Sequence, residues 1–329
     1  MRLALLAPLE HPLVEPYAGG LEKHTVQLAA GLAAAGHAVT LFARAGSVAV
    51  PGVELRTDLK GYRAVMGYLR TASFDLLHNN SLSGWPTLMA FRLPYPTVTT
   101  LHTPPYRRLL PGVLAARLPG GSQLVSISAS LQRQWNPWLG RSVVIHNGVE
   151  IERYSFSATA VPETAVWYGR FTPEKAPHLA IIAARGAGYR LDLAGPVDDR
   201  SYYAQVVAPL LGEDAVYRGH LSHRELLPLI QRAAVGLFTS VWEEPFGLVI
   251  PEMLACGTPV AGFASGAAPE LVDDRVSRLV PTGEVRQLAE AIIRAAALDR
   301  STCRTYALER FPLERMINAY AELYRSLLS

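Results

Sequence analysis

The sequence predicts an α/β protein in which a doubly wound architecture occurs twice. Three observations predict it. Short apolar runs without polar alternation recur throughout, as strands buried on both faces of a parallel sheet require. Segments with helical spacing separate those runs, the order expected when helices cover a parallel sheet. After "HNGVEIERYSFS" the alternation begins again, so a domain boundary is expected near 148–160. The 329 residues suffice for two domains with a core each, over 1–150 and 151–310, leaving 311–329 as a terminal helix.

The first half opens with a strand at 2–7, a loop, a helix at 21–35 and a strand at 38–43. In that helix Leu21, Thr25, Leu28 and Leu32 recur at helical spacing, and Gly36 supplies a C-terminal stop. Apolar runs follow as "FDLLH" (74–78), "TVTTLH" (97–102), "LVSIS" (124–128) and "VVIHNG" (143–148). The second half repeats the pattern with "AVWYG" (165–169), "RLDLAG" (190–195), "AVYRG" (215–219), "VGLFTS" (235–240) and "PVAGFA" (259–264). "HRELLPLIQRAA" and "VRQLAEAIIRAAAL" are its clearest helices.

Half of the residues are hydrophobic and 18% are charged, a globular composition. A net charge of +3 is too small for non-specific nucleic-acid binding to be the main task. Cys256 and Cys303 lie far apart without metal-ligand spacing, which argues against a disulfide framework or zinc site and for a reducing cytoplasm. The short apolar run in "MRLALLAPLEHP" reads as a first strand rather than a leader. No run reaches the ~18 apolar residues of a membrane span. A soluble or at most peripheral protein is expected.

In such sheets ligands bind at the carboxyl ends of strands. One exit loop there carries two carboxylates eight positions apart, Glu244 and Glu252, in "EEPFGLVIPEMLACG" (243–257). Pro251 has no N–H and fits only the first turn of a helix, so that helix is expected to start near Gly247–Leu248. Glu244 then precedes the helix and Glu252 sits just inside it. The amides of Phe246, Gly247 and Leu248 lie between them at the positive helix end, an arrangement suited to a ligand bearing hydroxyls and phosphate. No His, Asp or Cys accompanies the pair at metal-binding spacing. By itself the spacing is weak evidence and more often marks a helix-dipole carboxylate and a solvated loop residue.

The surrounding sequence is more specific. "SVWEEPFGLVIPEMLACGTPVAGFASGAAPELV" resembles, almost end to end, the donor-binding segment of the retaining glycosyltransferases of family 4. "YGRFTPEKAPHLAIIAA", "VYRGHLSHRELLPLIQRAAVGLFTS" and "VVIHNGVEIERY" are similar to that family's phosphate-binding stretch, base-binding loop and domain junction. "AGGLEKHTVQLAAGLAAAGHAVTLF" and "TVTTLHT" resemble its glycine loop and histidine strand end. The resemblance implies a GT-B fold, two Rossmann-like doubly wound domains facing across a cleft, with 311–329 crossing back to the first domain. It also implies transfer of a hexose-type sugar, with retention, from a nucleoside diphosphate donor to a small-molecule or glycan acceptor. A UDP-sugar is expected over a GDP-sugar, with neither metal nor cofactor.

Carried over by position, the resemblance places Arg170 and Lys175 on the donor diphosphate. Glu252 would take the ribose hydroxyls and Glu244 the transferred sugar, near the amides of Phe246, Gly247 and Leu248. Arg218, Gly219 and His220 would lie beside the base. Gly19 and Gly20 would approach phosphate and sugar, and His102 would reach the sugar. Glu244, His102, Arg170 and Lys175 are the expected catalytic set. His78 and Asn79 end a strand on the same edge, as ligands or as core.

Two departures from the family stand out. Ala176 follows Lys175 where a glycine is usual, and "ELVDDRVSRLV" lacks the glycines of the usual turn. Arg107, Arg108 and Arg117 within 104–120 offer either a peripheral membrane contact or, more simply, a solvated loop. Trp85, Trp135 and Trp138 could stack on an acceptor ring, but such residues more often serve packing. Two other functions remain compatible: a non-hydrolysing sugar-nucleotide epimerase, which would alter the donor without an acceptor, and a non-catalytic sugar-nucleotide-binding protein, which would bind it without turnover.

Overall fold

The computed structural model describes residues 1–139 and 142–329. They form two compact units, Met1–Gly148 with Leu313–Ser329, and Val149–Pro312.

The first unit holds strands β1 (Arg2–Leu6), β2 (Ala38–Phe42), β3 (Val53–Arg56), β4 (Leu76–Asn79), β5 (Thr97–Leu101), β6 (Gln123–Ser126) and β7 (Ser142–Val144). They make one sheet in the order β3-β2-β1-β4-β5-β6-β7, paired in parallel. The second holds β8 (Val161–Tyr168), β9 (Arg190–Ala194), β10 (Ala215–Tyr217), β11 (Ala233–Phe238), β12 (Val260–Phe263) and β13 (Ser277–Val280), in the parallel order β10-β9-β8-β11-β12-β13. Each order reverses direction once, between β1 and β4 and between β8 and β11. The loops leaving those strands flank the crevice where an open α/β sheet takes its ligand.

The sequence pattern finds the central strands and misses two at sheet edges. β3 and β13 have no counterpart among the runs named above. Both are terminal strands of their sheets with half-exposed residues, so "VELR" and "SRLV" never become continuous apolar runs. β8 begins at Val161, four residues ahead of its apolar run, because its first three residues are exposed.

The C-terminal helix Leu313–Leu328 belongs to the first unit. Its Met316, Ile317, Tyr320 and Tyr324 join a core with Leu28 and Leu32 of the helix Gly20–Ala34. Gly31 makes that approach possible, since a Cβ there would lie 2.6 Å from Ile317. The glycine-free turn in "ELVDDRVSRLV" is shaped by a carboxylate. Asp273 accepts the Arg275 amide at 3.0 Å, and its carbonyl accepts the amides of Val276 and Ser277. No helix of the described residues is long and apolar enough to cross a membrane.

Candidate functional site

In the second unit the site grows from the loops that leave β8 and β11. Thr239 stitches the two together: its hydroxyl lies 3.0 Å from the Lys175 carbonyl and accepts Trp167 Nε1–H at 2.9 Å. The Val241 amide donates to the Glu174 carbonyl at 2.9 Å. These bonds bring Lys175 against Glu244, 69 positions away in sequence.

Glu244 is buried, and three donors converge on one of its oxygens. Oε2 accepts from the Lys175 ammonium, from Ser240 Oγ at 2.9 Å and from Trp242 Nε1 at 2.9 Å. Burial opposes ionisation here, but the Lys175 charge and these hydrogen bonds outweigh it and hold the carboxyl below its ordinary range. Oε1 has no hydrogen-bond partner among the described residues. Gly266 lets the loop after β12 close over this residue: it has φ +55°, and a Cβ there would lie 2.2 Å from the Glu244 backbone.

The helix bearing Glu252 runs Val249–Ala255, one residue later than the Pro251 argument places it, with Gly247 at φ +88° in the preceding turn. Glu252 is buried, and its Oε2 accepts the Tyr168 hydroxyl at 3.0 Å. Burial, and then the Glu252 charge, push the phenols of Tyr154 and Tyr168 well above their ordinary range. Both tyrosines escaped the sequence reading. Tyr168 ends β8, 84 positions from its partner, and nothing local marks the pairing.

Arg170 is half-exposed, 3.3 Å from Asp198 and 3.6 Å from Glu174. Arg218 is bound to Asp192 at 2.6 Å, Gly219 turns at φ +89°, and His220 is exposed. Phe246 is buried and Leu248 half-buried. Ala176 occupies the left-handed region at φ +49°, ψ 51°, so the expected glycine position keeps a glycine-like backbone with alanine in it.

In the first unit His102 follows β5 and is almost fully buried. Its Nε2 lies 2.5 Å from Asn80 Oδ1, and Asn80 Nδ2 donates to Thr25 Oγ1 at 2.6 Å. His24 packs edge-on against it, ring centroids 5.0 Å apart, with neither His24 nitrogen bonded. Burial pulls the His24 imidazolium down to about 4 and that of His102 well below the ordinary value.

Gly19 is extended, φ −166° and ψ −177°, which any residue adopts, and Gly20 begins its helix. A Cβ at Gly19 would meet only Glu22 Oε2, at 3.3 Å. His78 is structural: Nδ1 meets the Tyr324 hydroxyl at 2.6 Å and Nε2 meets Thr100 Oγ1 at 2.8 Å, bracing β4 and β5 to the C-terminal helix. Asn79 is likewise spent within the core, on Thr87 and Ser81. Trp135 is fully buried, its Nε1 on the Thr103 carbonyl.

Comparison with known proteins agrees with this geometry. Residues 18–153 match the family described as Glycosyltransferase Family 4, and residues 151–309 match Glycosyl transferases group 1. D-inositol 3-phosphate glycosyltransferase of Mycobacteroides abscessus is 30% identical over 361 aligned positions, covering 88% of this chain and 81% of that protein. Two solved structures share the fold at lower identity. Sucrose-phosphate synthase from Thermosynechococcus elongatus is 21% identical with a TM-score of 0.85, covering 99% of each chain. Anabaena Alr3699/HepE in complex with UDP-glucose is 22% identical with a TM-score of 0.80, covering 99% of this chain and 100% of that one. Two parallel α/β sheets, the motifs along both units and these likenesses agree: the chain belongs to the family 4 glycosyltransferases and is a transferase of GT-B fold.

Proposed function

We propose that this glycosyltransferase moves a hexosyl group from a UDP-sugar to a hydroxyl of a small-molecule or glycan acceptor, with retention at the anomeric carbon. The observation that carries this reading is Glu244. One of its oxygens is saturated by Lys175, Ser240 and Trp242, and the other has no partner among the described residues. A carboxylate so held is pre-oriented to accept a sugar hydroxyl, with a cation beside it for the phosphate.

Breaking the bond to the diphosphate builds charge on the leaving oxygen. Preorganised cations stabilise that charge more in the transition state than in the ground state. Lys175 has three donors and spends one on Glu244, leaving others for phosphate. Arg170 exchanges its exposed partners Asp198 and Glu174 for phosphate at small cost, because such pairs contribute little. Glu252, steadied by Tyr168, takes the ribose hydroxyls, and Arg218, Gly219 and His220 lie at the base. The amides of Phe246, Gly247 and Leu248 serve the sugar–diphosphate. The resemblance assigns Gly19, Gly20 and His102 to phosphate and sugar of the same donor.

These cations supply the charge a divalent metal would otherwise bring, so activity is expected to survive EDTA. The complex of HepE with UDP-glucose supports the choice of base. Exposed Leu114 and Leu118 beside Arg107, Arg108 and Arg117 suit an anionic membrane surface, which vesicle sedimentation tests. The primary test is a thermal-shift screen of UDP-, GDP-, ADP- and dTDP-sugars, followed by NMR of the product anomer. A UDP-sugar should stabilise most and its anomeric configuration should persist. An inverted product would refute retention, and a donor epimerised without acceptor would refute transfer.

A further inference from the structure

The first unit contains a hydrogen-bond chain whose direction is set by a backbone carbonyl. Thr25 Oγ1 has one proton and donates it to the Leu21 carbonyl at 2.8 Å, so toward Asn80 it can only accept. The 2.6 Å contact is therefore made by an Asn80 Nδ2–H, which fixes which way the amide faces. Asn80 Oδ1, an acceptor only, then meets His102 Nε2 at 2.5 Å, and that nitrogen must carry the imidazole proton.

A neutral imidazole has a single N–H, so Nδ1 of His102 is left as a lone pair. Burial keeps the ring neutral. Nδ1 has no hydrogen-bond partner among the described residues and, unlike the two nitrogens of His24, is not a sealed orphan. The edge-on ring of His24, inclined at 66°, buttresses the imidazole from the side.

We propose that Thr25 and Asn80 are positioning residues that lock His102 in its Nε2–H tautomer, so that Nδ1 is presented as an acceptor for a hydroxyl of the donor sugar. The sugar contact rests on the reading of His102 given above; the lock itself does not. In the opposite tautomer the same nitrogen would donate, so the hydroxyl would have to accept instead, and its proton would be turned away from His102.

The test begins with nitrogen-resolved NMR of the imidazoles in the full, unliganded chain labelled at histidine. His102 should show a protonated Nε2 and an unprotonated Nδ1. Thr25→Ser should keep that pattern, whereas Thr25→Val and Asn80→Leu should mix or reverse it. A protonated Nδ1 in the wild type would overturn the lock, as would an unchanged tautomer in both disruptive variants. In turnover with a UDP-sugar, Thr25→Val should lower kcat by about tenfold, the scale of one hydrogen bond. Thr25→Ser should restore it. A shifted tautomer with unchanged kcat would overturn the sugar contact while leaving the lock standing.

Discussion

The two units hold their candidate site side chains by opposite electrostatic means. Around His102 the groups are neutral, and orientation comes from hydrogen bonds donated one way, from His102 through Asn80 and Thr25 to the Leu21 carbonyl. Around Glu244 the groups are ionised, and position comes from Lys175 pressed against a buried carboxylate. Arg170 and Arg218 likewise rest on acidic partners. A neutral relay fixes which atom faces a ligand. A buried ion pair stores charge and exacts a penalty when either partner is removed.

The largest expected effect breaks the charged side. Lys175→Ala should lower kcat by about 10²–10³ and cost roughly 3–5 kcal/mol of stability in urea titration, because Glu244 is left buried without its cation. Arg170→Ala should lower kcat on the same scale yet change stability by less than about 0.5 kcal/mol, its pairs being half-exposed. Near-normal turnover in either variant would remove the phosphate assignment.

Acid should separate the units next. His24 and His78 have imidazolium values lowered from 6.5 to about 4 and about 3 by burial, so the unfolded chain binds more protons than the folded one below 6.5. Stability of the first unit should therefore fall as pH drops from about 6.5 toward 4, by roughly 3 kcal/mol for each of these two groups. Glu244 has a lowered value, so its contribution is complete above the ordinary glutamate range of about 4.3 and is lost only below it. Hydrogen exchange at pH 5 should show strongly weakened protection in 1–148 and 313–329 and a smaller change in 149–312, where half-buried His178 also has a value lowered by burial. Equal loss in both would contradict the distinction.

Tyr168→Phe sharpens the picture at Glu252. It removes one charge-assisted hydrogen bond, of about 1.5–3 kcal/mol, and should weaken UDP binding by roughly tenfold with kcat less affected. Ala176→Gly should do least. Relief of the left-handed alanine, about 1–2 kcal/mol, is offset by about 0.5–1 kcal/mol of glycine entropy and ~0.8 kcal/mol of lost methyl burial. The melting point should barely move, which explains how alanine stands where the family usually has glycine.

What the sequence revealed and what it hid follow from range. Buried central strands announce themselves locally, and their exit loops carry Arg170, Lys175, Glu244 and His102, so both sheets and the candidate set were legible. Edge strands such as Val53–Arg56 are half-exposed and lack that signature. The partners that give each site residue its state come from far along the chain. Tyr168 reaches Glu252 across 84 positions and Asn80 reaches Thr25 across 55. No spacing in the sequence encodes such pairings, and His24 looked like any other residue of an amphipathic helix. Pro251, in contrast, placed its helix start to within about one residue, because its constraint is purely local.

Calorimetric titration of UDP into the wild type and Lys175→Ala decides whether Lys175 holds the donor diphosphate. The wild type should bind UDP saturably and more tightly than GDP or ADP, with a loss of at least about tenfold in the variant, the scale of one charge-assisted hydrogen bond. UDP bound equally by both proteins would contradict that role.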